Sequence, residues 1–324
     1  MKVLFLPIPT MVHPWLDDII CAFDGKQTVE FYDPAEPLKP QFEGVGVVVD
    51  QGGIVGTHEM IDAAAAAGVK LYQILGTGLD GADVPYLLHS GMLLANTPGQ
   101  FSAIALAEQA LCFMLQLVKH PAICRSNIRH GIRCEPLNEE LCGKTLGLIG
   151  FGASARELAT RAAAMGMRIL ALDAVACPQS ILDERHATFL GDLGQLDRLL
   201  AESDFVSLHL PLTAQTRHLI GRRELKLMKS SSYLINVARG EIVDEVALTE
   251  ALAGQWISGA GLDVFAEEPV NPEHPLLKFE NVIASPHVAG VTWGTSRRRA
   301  AAVAENIDRV AQGLAPLHQI SADD

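Results

Sequence analysis

One stretch, Gly147-Leu148-Ile149-Gly150-Phe151-Gly152-Ala153-Ser154-Ala155, constrains this chain more than any other. An apolar run, Thr145 to Ile149, precedes it and reads as a buried strand. Ser154 to Met165 is rich in Ala, Leu and Arg and reads as a helix. A second apolar run, Arg168 to Leu172, ends at Asp173. Strand, glycine turn, helix, strand and acid in that order mark a dinucleotide-binding βαβ unit. Gly150 suits the tight turn, and Gly152 lets backbone approach a pyrophosphate. Ala155 stands where a third glycine is usual and is still small enough for close helix–strand packing. The helix start at Ala153 and Ser154 offers free N–H groups to phosphate. Asp173 can accept from a ribose 2′-OH and would repel a 2′-phosphate. No Arg follows it in Ala174-Val175-Ala176-Cys177, so NAD is expected over NADP.

The rest of the chain supplies the sheets such a unit needs. Before the glycine turn, strands are expected at Lys2–Leu6, Val45–Val49, Val69–Leu75 and Met92–Ala95. Helices are expected at Pro14–Phe23 and Thr57–Ala67, with Thr57 as a cap. Pro98-Gly99 breaks the chain, a long apolar helix covers Ser102–Val118, and Arg125–Cys142 reads as an irregular exposed arm. Further strands follow at Phe205–Leu208, Tyr233–Val237, Gly259–Val264 and Val282–Ala284, with helices at Leu193–Glu202 and Glu245–Ala253. A last helix, Thr295–Gln312, has a place that its own sequence does not fix. The expectation is α/β, with two doubly wound parallel-sheet domains. The 324 residues suit about two domains.

In such sheets ligands sit at the carboxyl ends of strands. There the chain places His209-Leu210-Pro211, Ala238-Arg239-Gly240, Asp263 with Glu268, and Ser285-Pro286-His287. Singly, Arg239, Glu268 and His287 have ordinary readings as a surface cation, a loop acid and a turn residue. Together at one sheet edge they are the equipment for carbonyl reduction. His287 can donate a proton near neutral pH, Glu268 can stabilise the imidazolium, and Arg239 can hold a carboxylate bidentately. His209 reads as structural or as lying near the adenosine side. The other histidines show no metal-ligand spacing, and no metal is expected.

Net charge of −13 with 25 Lys+Arg argues against nucleic-acid and anionic-membrane partners. Six cysteines without C-x-x-C pairing, no signal peptide at Met1–Pro7 and no bilayer-length apolar run together suggest a cytoplasmic protein with reduced thiols.

The combined motifs resemble the D-isomer-specific 2-hydroxyacid dehydrogenase family, which includes glyoxylate/hydroxypyruvate reductases and phosphoglycerate dehydrogenases. The segments that carry the resemblance are Gly76-Thr77-Gly78-Leu79-Asp80, Asn96-Thr97-Pro98-Gly99, Gly143-Lys144-Thr145-Leu146-Gly147, Asn236-Val237-Ala238-Arg239-Gly240, Leu262-Asp263-Val264-Phe265 with Glu268-Pro269, and Ser285-Pro286-His287. The resemblance implies a Rossmann cofactor domain over 98–287. It also implies a discontinuous, flavodoxin-like substrate domain over 1–97 and 288–324, with the active site in the cleft between them. It implies catalytic roles for Arg239, Glu268 and His287, and a substrate-carboxylate turn at Thr77 and Gly78. Expected cofactor contacts are Thr77, Gly150, Gly152, Ala153, Ser154, Asp173, Leu210, Pro211, Val237, Ala238, Asp263, His287 and Gly290. Family members are usually homodimers joined through the cofactor domains.

Departures from the family pattern are specific. Ala153 replaces an Arg common after the second fingerprint glycine, and the arm around Arg129–Arg133 lacks a frequent Trp. Trp293 is a candidate wall of the substrate pocket. The first hundred residues hold only Lys2, Lys26, Lys39 and Lys70 as basic groups, which favours small unphosphorylated 2-oxo acids such as glyoxylate, hydroxypyruvate or pyruvate. Arg297, Arg298 and Arg299 keep a phosphoglycerate-like alternative open. An NAD-sensing corepressor-like protein is the alternative from another class.

Overall fold

The computed structural model describes residues 1–322. Its chain divides into two compact units: Met1–Ser102 together with the segment from Val291 onward, and Ala103–Gly290. The divisions fall a few residues beyond 97/98 and 287/288. Thr97, Gln100 and Ser102 remain tied to the first unit by hydrogen bonds to Gly76, His318 and Thr77.

The first unit holds five parallel strands: β1 (Lys2–Leu6), β2 (Thr28–Phe31), β3 (Val45–Asp50), β4 (Leu71–Ile74) and β5 (Leu93–Ala95). Their order is β2-β1-β3-β4-β5, the flavodoxin-like 2-1-3-4-5 arrangement. Strand alternation sends side chains to two cores. Val3, Phe5, Val47 and Val49 pack with Trp15, Ile19 and Phe23 of the helix Trp15–Phe23. Ala300, Val303 and Ile307 of the C-terminal helix Trp293–Ala311 join the same core. Leu4, Leu6, Val48 and Tyr72 face Met60, Ile61 and Ala64 of the helix His58–Ala66. Thr57 caps that helix, its hydroxyl accepting from Met60 N–H at 3.3 Å. The C-terminal helix, whose place the sequence left open, therefore completes the first sheet.

The second unit holds seven parallel strands: β6 (Thr145–Ile149), β7 (Arg168–Leu172), β8 (Ala187–Gly191), β9 (Phe205–Leu208), β10 (Tyr233–Asn236), β11 (Gly259–Leu262) and β12 (Val282–Ala284). Their order is β12-β11-β10-β9-β6-β7-β8. The order reverses at β6/β9, which is where a Rossmann sheet opens its ligand crevice. Both faces of this sheet are covered by buried aliphatic cores, as an all-parallel sheet requires.

Three sequence expectations need correction. The strands β2 and β8 were not expected. Both lie at sheet edges, where partly exposed residues such as Thr28, Glu30 and Thr188 break up the apolar run that marks a central strand. Part of the arm is a helix, Pro121–Arg129, with Pro at its first turn and no buried residue. At nine residues, with Ile123 and Ile128 left exposed, it is too short and too polar to stand out from an irregular arm. The last helix begins at Trp293, two residues earlier than expected, because Thr292 caps it by accepting from Thr295 N–H.

Candidate active site

The glycine turn of the second unit is shaped as its sequence demands. Gly150 has φ +86°, and a Cβ there would lie 2.6 Å from the carbonyl oxygen of His209, so only glycine fits. The helix Ala153–Ala164 starts at Gly152 without a side-chain cap. A Cβ on Gly152 would meet nothing within 4 Å, so the space above its backbone is open. Uncapped N–H groups of Ala153 and Ser154 beside open space fit a pyrophosphate. Ala155 is fully buried against the sheet. Asp173, at the end of β7, accepts from Phe151 N–H at 2.7 Å and from Val175 N–H at 3.0 Å. Each of its oxygens thus holds one backbone donor and keeps a lone pair for a ribose hydroxyl. Asp173 also braces the glycine turn, a role that its position in the motif alone does not show.

His209 sits under this turn. Its Nδ1 lies 2.9 Å from Ser154 Oγ and its Nε2 lies 3.0 Å from Ser207 Oγ. Burial pushes its pKa down to about 3, so the ring is neutral. A neutral ring has one donor and one acceptor nitrogen, and two hydroxyls satisfy both.

The ends of β10, β11 and β12 carry the second cluster. Gly240 lets two loops meet, since a Cβ there would lie 1.9 Å from the Phe265 carbonyl carbon. This approach sets the Arg239 turn against the loop that bears Glu268. Asn236 ties the turn, accepting from Ala238 N–H at 3.0 Å and donating to the Arg239 carbonyl at 2.9 Å. Arg239 Nη1 donates to the Ala238 carbonyl at 2.7 Å. Glu268 Oε1 accepts from Phe265 N–H at 3.0 Å, and its Oε2 lies 2.7 Å from His287 Nδ1. The hydrogen bond to Glu268 raises the His287 pKa above its ordinary value, against burial and the nearby Arg239 charge. Burial pushes Glu268 up, but the bonds from His287 and Phe265 hold it below its ordinary value.

His287 has φ +54°, a left-handed conformation that histidine tolerates better than most residues. Asp263 explains how that turn is held. Its backbone carbonyl accepts from His287 N–H at 2.7 Å. Its buried carboxylate accepts from Ser285 Oγ at 2.5 Å, Val288 N–H at 2.9 Å and Ala289 N–H at 2.8 Å. Expected as a cofactor contact, Asp263 is committed in the structure to the loop that carries His287. An acid followed some twenty residues later by Ser-Pro-His was the available signal.

The remaining expected residues are distributed by unit. In the second unit, Val237 and Ala238 are buried, Leu210 and Gly290 are half-buried and Pro211 is exposed. In the first unit, Thr77 is exposed at the end of the β4 loop, and the N–H groups of Thr77 and Gly78 find no acceptor among the described residues. Trp293 is 65% exposed at the start of its helix. Among the described residues no group of three potential metal ligands occurs, and no helix is long and apolar enough to cross a membrane.

Comparison with known proteins shows which family has this fold and sequence. The family pattern for the D-isomer specific 2-hydroxyacid dehydrogenase, NAD binding domain, matches residues 111–289. The chain is 36% identical to a glyoxylate reductase from Korarchaeum cryptofilum, over 80% of this chain and 78% of that protein. It is 39% identical to a hydroxypyruvate reductase from Thermotoga maritima, over 81% of this chain and 84% of that one. The NAD-complexed crystal structure of a D-isomer specific 2-hydroxyacid dehydrogenase from Lactobacillus delbrueckii ssp. bulgaricus superposes with TM-score 0.82 at 29% identity, covering 99% of this chain and all of that one. The chain belongs to the D-isomer-specific 2-hydroxyacid dehydrogenase family and is an NAD-dependent oxidoreductase.

Proposed function

We propose that this protein reduces a small 2-oxo acid of the glyoxylate or hydroxypyruvate kind to the D-2-hydroxy acid, and runs the reverse reaction, as a cytoplasmic homodimer joined through its cofactor domains. The observation that carries the reading is the 2.7 Å contact between His287 Nδ1 and Glu268 Oε2. With Nδ1–H donated to Glu268, Nε2 is the nitrogen left to hold the transferable proton. Reduction turns a carbonyl oxygen into an alkoxide, and protonated His287 neutralises that charge from Nε2. Glu268 keeps the imidazole cationic and aimed, and its own orientation is fixed by Phe265 N–H. Arg239 binds the substrate carboxylate as a fork and polarises the carbonyl. In the first unit, the N–H groups of Thr77 and Gly78 are assigned to substrate binding.

NADH would be held by the backbone of Gly150, Gly152, Ala153 and Ser154 at the pyrophosphate and by Asp173 at the adenine ribose. Thr77, Leu210, Pro211, Val237, Ala238 and Gly290 would form the remaining contacts, and His287 would border the nicotinamide. When bound, the cofactor supplies the hydride. Asp263 positions the His287 loop. Trp293, exposed at a helix start, is assigned to the substrate pocket wall. The six free cysteines, four of them exposed, support a reducing compartment.

The test is NADH consumption with glyoxylate, hydroxypyruvate and pyruvate. Turnover of at least one is expected. Tight NADH binding with no turnover of any 2-oxo acid would instead favour an NAD-sensing role.

A further inference from the structure

Three consecutive arginines on the C-terminal helix meet different fates. Arg297 lies 3.9 Å from Asp18. Arg298 donates from Nε to the Phe101 carbonyl at 2.8 Å. Arg299 reaches no carboxylate among the described residues. Its Nη2 donates to Thr77 Oγ1 at 3.1 Å, and its guanidinium stacks 5.5 Å from the centre of the Trp15 ring. Its Nε is buried and has no hydrogen-bond partner. Ser296 Oγ, one turn earlier on the same helix face, and Trp15 Nε1 are also buried and unpartnered.

A guanidinium that is half-buried against a Trp ring ordinarily has an anion or several acceptors. Here burial, with the Arg298 charge, pulls the Arg299 pKa down to about 10, so the side chain stays cationic at neutral pH. Of its five N–H donors, only one has a protein acceptor among the described residues. Thr77 Oγ1 spends its own proton on the Thr97 carbonyl at 3.2 Å and so receives the Arg299 N–H on a lone pair. Bracing the Thr77 turn accounts for one donor. It does not account for a half-buried charge that has no carboxylate partner among the described residues.

We propose that Arg299 is a specificity-determining residue that pairs with a second anionic group on the substrate, so that dianionic 2-oxo acids are preferred over monoanionic ones. The inference rests on the proposed function, which assigns the N–H groups of Thr77 and Gly78, in the same unit as Arg299, to the 2-oxo acid carboxylate. Arg299 then adds a positive charge that a monoanion leaves unmatched. A distal carboxylate or a distal phosphate supplies the same chemistry: oxygen acceptors and one further negative charge for a planar fork. The first hundred residues, poor in basic groups, do not supply this cation. The C-terminal helix brings it to the same unit.

The experiment compares kcat/KM with NADH for glyoxylate, for oxaloacetate and 2-oxoglutarate, and for 3-phosphooxypyruvate, in wild type and in Arg299→Met. Wild type should favour at least one dianion over glyoxylate by about tenfold or more, and the responding acid tells carboxylate from phosphate. Arg299→Met should lower the dianion-to-glyoxylate ratio by about 30-fold. Arg299→Lys, which keeps the charge and loses the fork, should fall between them. Turnover of glyoxylate with no dianion preference in wild type overturns the inference and leaves the proposed function standing. An equal loss for all substrates in Arg299→Met also overturns it, and makes Arg299 only a brace for the Thr77 turn. No turnover of any acid by wild type is the failure of the proposed function itself. If the Met variant does not fold, the wild-type ratio and the Lys variant still decide.

Discussion

His209 and His287 belong to the same sheet edge of the second unit and do opposite things. His209 is wedged between Ser154 and Ser207, with neutral hydroxyls as its only side-chain partners among the described residues. Burial without a compensating charge drives its pKa to about 3. His287 has a side chain about half exposed (49%) and a carboxylate 2.7 Å away, and its pKa is raised. The ring is the same, so environment alone separates a histidine held neutral from one held toward its cationic form. The serines fix an orientation at the glycine turn, whereas Glu268 also supplies a charge.

Removing each partner tests this contrast. The largest effect is expected for His287→Ala, which should lower kcat for 2-oxo acid reduction by about 10²–10⁴-fold. The NADH dissociation constant should change little, because the pyrophosphate and ribose contacts lie elsewhere. Stopped-flow turnover with fluorescence titration of NADH separates the two, and unchanged kcat would remove His287 from the chemistry.

Glu268→Gln should act next most strongly. Reduction needs protonated His287, so the reductive rate holds below the raised pKa and falls as pH rises through it. The first cause of that raised value is the Glu268 bond. Glutamine keeps the shape and loses the charge, so the alkaline limb should move to lower pH. At a pH between the two limbs the reductive rate should drop by roughly tenfold for each unit of lost pKa. A profile that superimposes on wild type would uncouple Glu268 from the histidine.

A smaller effect is expected at the glycine turn. Asp173→Ala should weaken NADH and relieve NADPH together, narrowing the ratio of their kcat/KM values. A good NADPH enzyme should not result, since no basic residue is there to pair with the phosphate. The variant also frees Phe151 N–H and Val175 N–H, at a cost of about 1 kcal/mol in stability. An unchanged cofactor ratio would leave Asp173 only its bracing role.

What was legible in the chain follows from how strictly each position is constrained. Gly150 and Gly240 sit where backbone from another loop passes closer than any Cβ allows, so the residue type itself is the signal. The central strands are buried on both faces and read as continuous apolar runs. Edge strands such as β2, with Thr28 and Glu30, carry no such run. Arg239, Glu268 and His287 were singled out as candidates by their places after strands. Asp263 and His209 were harder to read because their roles depend on which backbone amides and hydroxyls approach them, and those contacts form only in the folded sheet. The separate fates of Arg297, Arg298 and Arg299 were likewise unreadable, since consecutive helix residues point about 100° apart and only the packing shows which faces Thr77.

The central claim is that Glu268 keeps His287 cationic while His209 stays neutral. Histidine side-chain ¹⁵N NMR across pH 5–9, with His287→Asn and His209→Asn spectra for assignment, measures this directly. The account predicts that His287 titrates above about 6.5 with its Nδ1 protonated throughout, and that His209 shows one neutral tautomer over the whole range. A His287 midpoint at or below the ordinary imidazole value, or a His209 that protonates within this range, would contradict it.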